Sequence, residues 1–358
     1  MDATPADPAP RRYGGFDVLR ILAALAVLLS HSFAISGHRA DALRYSVGHY
    51  HVALGTLGVS IFFVISGLLV ATSWDRLADG RTFVRHRVAR IWPALTATIV
   101  LTVFVLGPLT TVLRPVEYLT QRATMLYLGR NIVLFAGTIN HLPGVFLDHP
   151  VRSVNGSIWT LTYEVWAYVL VLGLGLTGLL RRWWVPVLVL AGFVVTFRTV
   201  VYEHLGHLPV TRTVLGVSLT DGSVLLTFFF LGVVASRLVH RVPPRRWLLP
   251  SAALLALAFL VGEPVLYVVG LAGCVVGIGS FGGRVLETVH SWGDPSYGLY
   301  ITAFPIQQLL YSAGIRSAWS MFAVAGAITM GVGYLSWHRL ERPLLRRARR
   351  GAPVAATA

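Results

Sequence analysis

The chain has 358 residues, of which 55% are hydrophobic and 13% charged, with a mean hydropathy of +0.68; soluble domains carry about 25% charged residues, so a soluble globular protein is excluded. The formal net charge of +15 comes from 30 arginines and no lysine, which in a soluble chain would suggest a nucleic-acid partner. Here the arginines gather in short loops beside apolar runs, where membrane topology and anionic lipid account for them and no nucleic acid is needed.

Residues 1–15, rich in Pro and Ala, read as a disordered cytoplasmic tail. The first apolar run, about 16–36, is longer than a signal peptide's apolar core and no small-residue cleavage site follows it, so it reads as a retained span. A polar outer loop leads to span two at about 54–74, and the densest basic cluster, Arg76 to Arg90, precedes span three at about 91–112. Residues 113–155 are less hydrophobic, and the apolar piece 126–137 is too short to cross, which places it as an interfacial or re-entrant helix on the outer side. Span four starts near Asn155 and ends at Arg181 and Arg182, span five covers about 185–201, and an outer loop 202–220 leads to span six at 222–239. After a basic loop, spans seven and eight (247–261 and 265–281) flank a tight Gly262-Glu263-Pro264 turn; spans nine and ten follow at 295–312 and 318–338.

With both termini inside, the inner segments hold 21 of the 30 arginines and the outer segments 9, so the loops obey the positive-inside rule. The expected fold is an all-α polytopic bundle of about ten transmembrane helices with both termini cytoplasmic, multi-pass in the plasma (inner) membrane. Its expected organisation is a membrane domain over 16–340 between the tail 1–15 and a basic tail 341–358. No internal repeat appears, which weakens an inverted-repeat transporter reading. The only cysteine, Cys274, lies in an apolar run, and the 12 histidines show no metal-ligand spacing, so no metal site is expected.

Ionisable residues inside spans mark functional pathways by default. Span one carries three: Asp17, Arg20 and His31. Eleven residues separate Arg20 from His31, which on a helix puts them on nearly one face, roughly 16 Å apart along the axis. His31 is either an intramembrane group or a loop residue just past the helix end. Glu164 enters from the opposite side, eight residues past Gly156, roughly 12 Å deep and close to the depth of His31. An imidazole and a carboxylate at matching depth can form a base with its orienting partner; otherwise Glu164 is an interfacial carboxylate. Asp17, one turn from Arg20, is expected to hold that guanidinium in place. Arg87 and Arg90 share a helix face and suit bidentate contacts to phosphate, although a plain positive-inside loop looks similar.

Five segments carry a resemblance. Phe16-Asp17-x-x-Arg20 with Arg20-x10-His31, Phe62-Phe63-x-x-Ser66-Gly67, Arg87-x-x-Arg90-Ile91-x-Pro93, Trp159-x-Leu161-x-x-Glu164 and Ser296-Tyr297-x-x-Tyr300 occur in order and topology. They resemble the acyltransferase-3 family of membrane O-acyltransferases over most of the chain. Many members have a histidine shortly after the last motif, where this chain reads Ile301-Thr302-Ala303-Phe304-Pro305, so that segment is expected to serve packing only. The resemblance implies transfer of an acyl group, acetyl first among them, from cytoplasmic acyl-CoA to a hydroxyl of a carbohydrate, glycolipid or glycoside acceptor, with no resident cofactor. It implies CoA phosphates among Arg87, Arg90 and Arg20, with His31 as general base or transient acyl carrier. Glu164 would orient the imidazole, and Ser66 and Trp159 would support the site. A histidine suits either role near neutral pH. The rival reading is a transporter or exporter of a sugar or lipid intermediate that uses Arg20, His31 and Glu164 as a relay; it leaves the phosphate-gripping pair unexplained.

Overall fold

The computed structural model describes residues 14–38, 44–77, 79–203, 213–214, 217–239 and 241–350, and it is an almost wholly helical bundle. Helix α1 (Gly15–Ile35) leads through a hairpin of β1 (Arg44–Val47) and β2 (Tyr50–Ala53) into α2 (Leu54–Leu77). Then come α3 (Gly80–Leu101), a π-helical turn (Thr102–Leu106), α4 (Gly107–Thr110), and the short helices α5 (Pro115–Thr120) and α6 (Arg122–Val133). The second half holds α7 (Trp159–Leu176), α8 (Trp184–Glu203), a two-residue pair β3 (Thr213–Val214) and β4 (Val217–Ser218), α9 (Leu219–Leu238), α10 (Leu248–Val261) and α11 (Pro264–Gly279). Helix α12 (Arg284–Trp292), α13 (Ser296–Ser312), α14 (Ala318–Ser336), a second π turn (Trp337–Glu341) and α15 (Arg342–Arg350) complete it.

Eight helical stretches among the described residues are long and apolar enough to cross a membrane. Helix α11 joins α12 at a bend of 92° and the two together make a ninth candidate. Helix α13, 17 residues long, occupies the remaining expected position inside the bundle. The all-α, multi-pass membrane architecture is therefore as expected. The outer surface is apolar where lipid would lie: on α10, Leu249 and Leu260 are 84% and 83% exposed, an arrangement that water would penalise and hydrocarbon does not.

Inside, α2 packs against both α1 and α9. The α2–α9 contact is backbone-close: a Cβ on Gly67 would stand 1.9 Å from the Phe229 carbonyl oxygen, and one on Gly232 would stand 2.1 Å from that of Val64. Small residues at such crossings permit the dense packing that drives helix association in lipid.

Several boundaries differ from the sequence expectation. Helix α3 begins at Gly80 rather than near 91, because the Asp79 carboxylate accepts the Thr82 N–H at 2.7 Å and caps it; the basic cluster is thereby the first turns of the span, and Pro93 lies within the helix. The loop expected to reach 53 contains the β1–β2 hairpin, docked by a 2.6 Å bond between the Tyr45 and Tyr267 hydroxyls. The apolar piece expected at 126–137 is α6, Arg122–Val133. The segment from 341 is helical to Arg350 and packs on α3. The tail 1–13 and most of the loop 202–220 lie outside the described residues.

Candidate active site

Polar groups are costly inside a bundle unless paired, and the largest paired cluster lies where α1, α3, α13 and α15 meet. Arg90 of α3 donates to Asp294 Oδ2 at 2.6 Å and to Glu341 Oε2 at 2.9 Å. Arg20 of α1 donates to the same Asp294 oxygen at 3.1 Å. The other Asp294 oxygen accepts the Ser296 hydroxyl at 2.5 Å and the Ser296 N–H at 3.2 Å, and the Ser336 hydroxyl donates to Glu341 at 3.0 Å. The Arg90 guanidinium also lies over the rings of Tyr297 and Trp337, 5.6 and 5.8 Å from their centroids. Burial pushes the Asp294 carboxyl up, but the charges of Arg90 and Arg20 and the Ser296 bonds outweigh it and hold the group down at about 2.

Beside this network is a cavity of about 1200 Å³. At one end it is lined by arginines of α2, α3 and α15; inward it reaches Glu164, Thr160, Phe62 and Tyr300. The Glu164 carboxylate accepts the Ser66 hydroxyl at 3.1 Å and also the Tyr168 hydroxyl. Arg87 lines the cavity with its guanidinium between the rings of Phe83 and Tyr168, and its Nε is buried without a hydrogen-bond partner. The Tyr300 hydroxyl is tied to Thr160 at 2.7 Å and to the Ser157 carbonyl at 2.9 Å, which fixes α13 against the start of α7.

His31 lies within α1, not past its end. Its ring meets Phe304 of α13 edge-on at 4.9 Å, and its Nδ1 is buried without a hydrogen-bond partner among the described residues. Phe304 is one turn beyond Tyr300, so His31 sits one turn of α13 past the cavity's inner end. Next to it, Gln307 donates to the Leu28 carbonyl at 2.8 Å and to the Ser32 hydroxyl at 2.7 Å, leaving its own carbonyl buried and unpartnered.

Two expected pairings are replaced. Arg20 is held by Asp294, not by Asp17, whose carboxylate instead takes His290 Nδ1; neighbours on a helix face were outcompeted by a partner presented from the loop before α13. Glu164 is bonded to Ser66 and Tyr168 rather than to His31, because equal depth does not fix which way a side chain faces, and α2, which carries Ser66, packs against both α1 and α7. In the Ser296-Tyr297-x-x-Tyr300 segment, Ser296 fixes Asp294, Tyr297 underlies Arg90, and Tyr300 lines the cavity. Ser66 lines the cavity. Trp159 stands at the first turn of α7 with its ring edge-on to Tyr163 at 5.7 Å, away from the cavity lining. Asp294, Glu341, Tyr168 and Gln307 had no assigned role; the only sequence signal for the first two was the scarcity of acids, 15 against 30 arginines.

The family model for the acyltransferase domain called Acyl_transf_3 matches residues 13–338, which takes in every group just described except Glu341 and α15. The chain belongs to the acyltransferase-3 family. This acyltransferase is 26% identical over 354 residues to an O-acetyl transferase of Shigella phage Sf6, covering 93% of this chain and 96% of the relative. It is 27% identical over 359 residues to nodulation protein 10 of Rhizobium leguminosarum bv. viciae, with 92% and 93% covered. It is 28% identical over 339 residues to the exopolysaccharide production protein ExoZ of Rhizobium meliloti (strain 1021), with 84% and 93% covered. No solved structure matches. Membership makes the protein an enzyme and sets the transporter reading aside.

Proposed function

We propose that this acyltransferase transfers an acyl group, acetyl first among them, from acyl-CoA to a hydroxyl of a carbohydrate-containing acceptor. The arginine-rich end faces the cytoplasm and takes the donor, and the protein resides in the plasma (inner) membrane. The observation that carries this reading is the cavity itself. It joins arginines able to hold phosphates to a polar inner end beside Glu164 and Tyr300, one helical turn from an imidazole whose buried Nδ1 has no hydrogen-bond partner among the described residues. An elongated donor with an anionic head and a thin arm fits that shape and polarity. The relatives named for O-acetyl transfer and exopolysaccharide production support acetyl as the group and a glycan hydroxyl as the acceptor.

Roles follow from the contacts. Arg87, whose guanidinium meets the faces of Phe83 and Tyr168 and has no carboxylate partner among the described residues, binds phosphate directly. Arg20 and Arg90 spend their ion pairs on Asp294 and Glu341, so they supply positive field and shape rather than a free fork. The acceptor hydroxyl attacks the thioester carbonyl, His31 takes the hydroxyl proton, and the thiol of CoA leaves carrying that proton. The Ser66 and Tyr168 hydroxyls hold Glu164 as a fixed negative group along the path of the arm. No resident cofactor is required.

The test is acetyl transfer from labelled acetyl-CoA to an acetyl-accepting glycan by purified protein. General-base catalysis contributes about 10²–10⁴-fold, so His31→Ala should lose at least about 100-fold in turnover while its affinity for acetyl-CoA stays within about twofold. Undiminished transfer by His31→Ala would remove the histidine from the chemistry, and native protein that does not bind acetyl-CoA would overturn the donor assignment.

A further inference from the structure

Not all arginines at the cavity mouth are alike. Arg20 and Arg90 are neutralised by Asp294 and Glu341, and Arg237, at the end of α9, by Asp75 at 2.6 Å. Arg76, Arg87, Arg342 and Arg346 line the cavity and have no carboxylate partner among the described residues. Two of these four come from α15, a helix outside the stretch matched by the family model. Residues 342 and 346 are four apart and share a helix face. That face is turned to the cavity because α15 packs on α3 and because the π turn ahead of it delivers Glu341 to Arg90. Unpaired guanidiniums converging on one mouth repel each other, and an anion relieves that repulsion. Arg87 adds a buried, unpartnered N–H on the same wall.

We propose that α15 is part of the donor site, and that Arg342 and Arg346 together with Arg76 bind the 3′-phosphate at the adenosine end of CoA. This rests on the donor reading above and deepens it. Arg87, further in along the wall, takes the diphosphate. The assignment follows from order along the cavity: the thioester must reach the Glu164–Tyr300 end, so the nucleotide's terminal phosphate lies at the opposite end, which α15 lines. An anionic lipid headgroup offers the same phosphate chemistry, and the experiment separates the two.

The full-length protein is placed in zwitterionic phosphatidylcholine nanodiscs, and affinities for acetyl-CoA and for its 3′-dephospho analogue are measured. Charge-assisted contacts to phosphate make a discrimination of about tenfold or more in favour of acetyl-CoA the expected native result. Arg342→Gln/Arg346→Gln, with Arg76 alone left at the phosphate, is expected to retain at most about twofold discrimination, with its affinity for the dephospho analogue unchanged, which also reports an intact fold. Arg346→Ala, a change at an exposed side chain, is expected to lose about half of the discrimination on a logarithmic scale, about threefold. If the arginines serve lipid instead, Arg346→Ala keeps the full native discrimination, and that result overturns the assignment to α15. A native protein that binds the two nucleotides equally overturns the 3′-phosphate but leaves the donor reading standing. A native protein that binds neither overturns both.

Discussion

Asp294 is the residue on which the donor end turns, since one carboxylate answers two guanidiniums from two helices. Removing one partner of a buried ionic cluster leaves the others uncompensated, which costs about 3–5 kcal/mol. Asp294→Asn keeps the shape and a hydrogen-bond acceptor for Ser296 but not the charge, so it should destabilise the folded protein by about 3 kcal/mol, read as a lower unfolding midpoint in detergent. The folded-state carboxyl is held at about 2, below the unfolded value of about 3.9. The contribution is therefore complete above about pH 4 and is lost as pH falls towards 2. The gap between native and variant midpoints should narrow as pH falls from about 4 towards 2; a gap unchanged over that range would mean that the Asp294 charge does not carry the effect. A second single residue controls the other end. A Cβ on Gly156 would stand 2.5 Å from Phe304 Cε2, and the Phe304 ring meets His31. Gly156→Ala must displace that ring, so turnover should fall by about tenfold or more while acetyl-CoA affinity, set at the far end, is unaffected. A loss of affinity with unchanged turnover would place Phe304 in the donor path instead.

At the scale of elements, α3 and α15 act as one unit, joined by the Arg90–Glu341 pair and by packing of α15 on α3. Glu341→Ala deletes that tie while leaving Asp294 to Arg90. Trypsin should then cut at the arginines of α15 faster, by about tenfold, because local opening rates follow the stability of the local unit; an unchanged cleavage rate would mean packing alone holds the helix. How much of this was legible in the sequence differs by the kind of signal. The spans were legible because apolar runs of near-membrane length admit few other readings. The Arg87–Arg90 spacing was legible because helical period is local; the same period left His31 open between helix and loop and set Glu164 towards the imidazole, whereas its partners are Ser66 and Tyr168. The pairing of Arg90 with residues 204 and 251 positions away was not, since no local pattern says which distant carboxylate a buried arginine will meet. The π turn at Trp337–Glu341 was equally hidden: helical periodicity assumes 3.6 residues per turn, and one wider turn re-aims every residue after it. That is why Glu341 and the α15 arginines read as an undifferentiated basic tail.

The whole molecule has two chemically different ends, and the proposed mechanism requires them to face different compartments. The start of α1 and α15 both line the arginine-rich cavity, through Phe16, Asp17, Arg342 and Arg346, so both ends of the described chain emerge on one side. The loop between α9 and α10, with Arg241, Arg245 and Arg246, belongs to that side by helix order. The β1–β2 hairpin and the segment between α6 and α7 belong to the other. A donor made in the cytoplasm reaches the cavity only if the arginine-rich side is inside, the orientation that arginine excess also favours. With Cys274 replaced by Ser, single cysteines at Arg246 and at Asp148, both exposed positions, report the two sides. In intact cells a membrane-impermeant maleimide should label Asp148→Cys and spare Arg246→Cys until the membrane is opened. The reverse pattern would put the cavity mouth outside, where cytoplasmic acyl-CoA does not reach, and would leave the geometry of the site intact but its donor wrong. Labelling of both in intact cells would mean the two loops share a side, which an even number of crossings between them would demand, and would overturn the membrane arrangement itself.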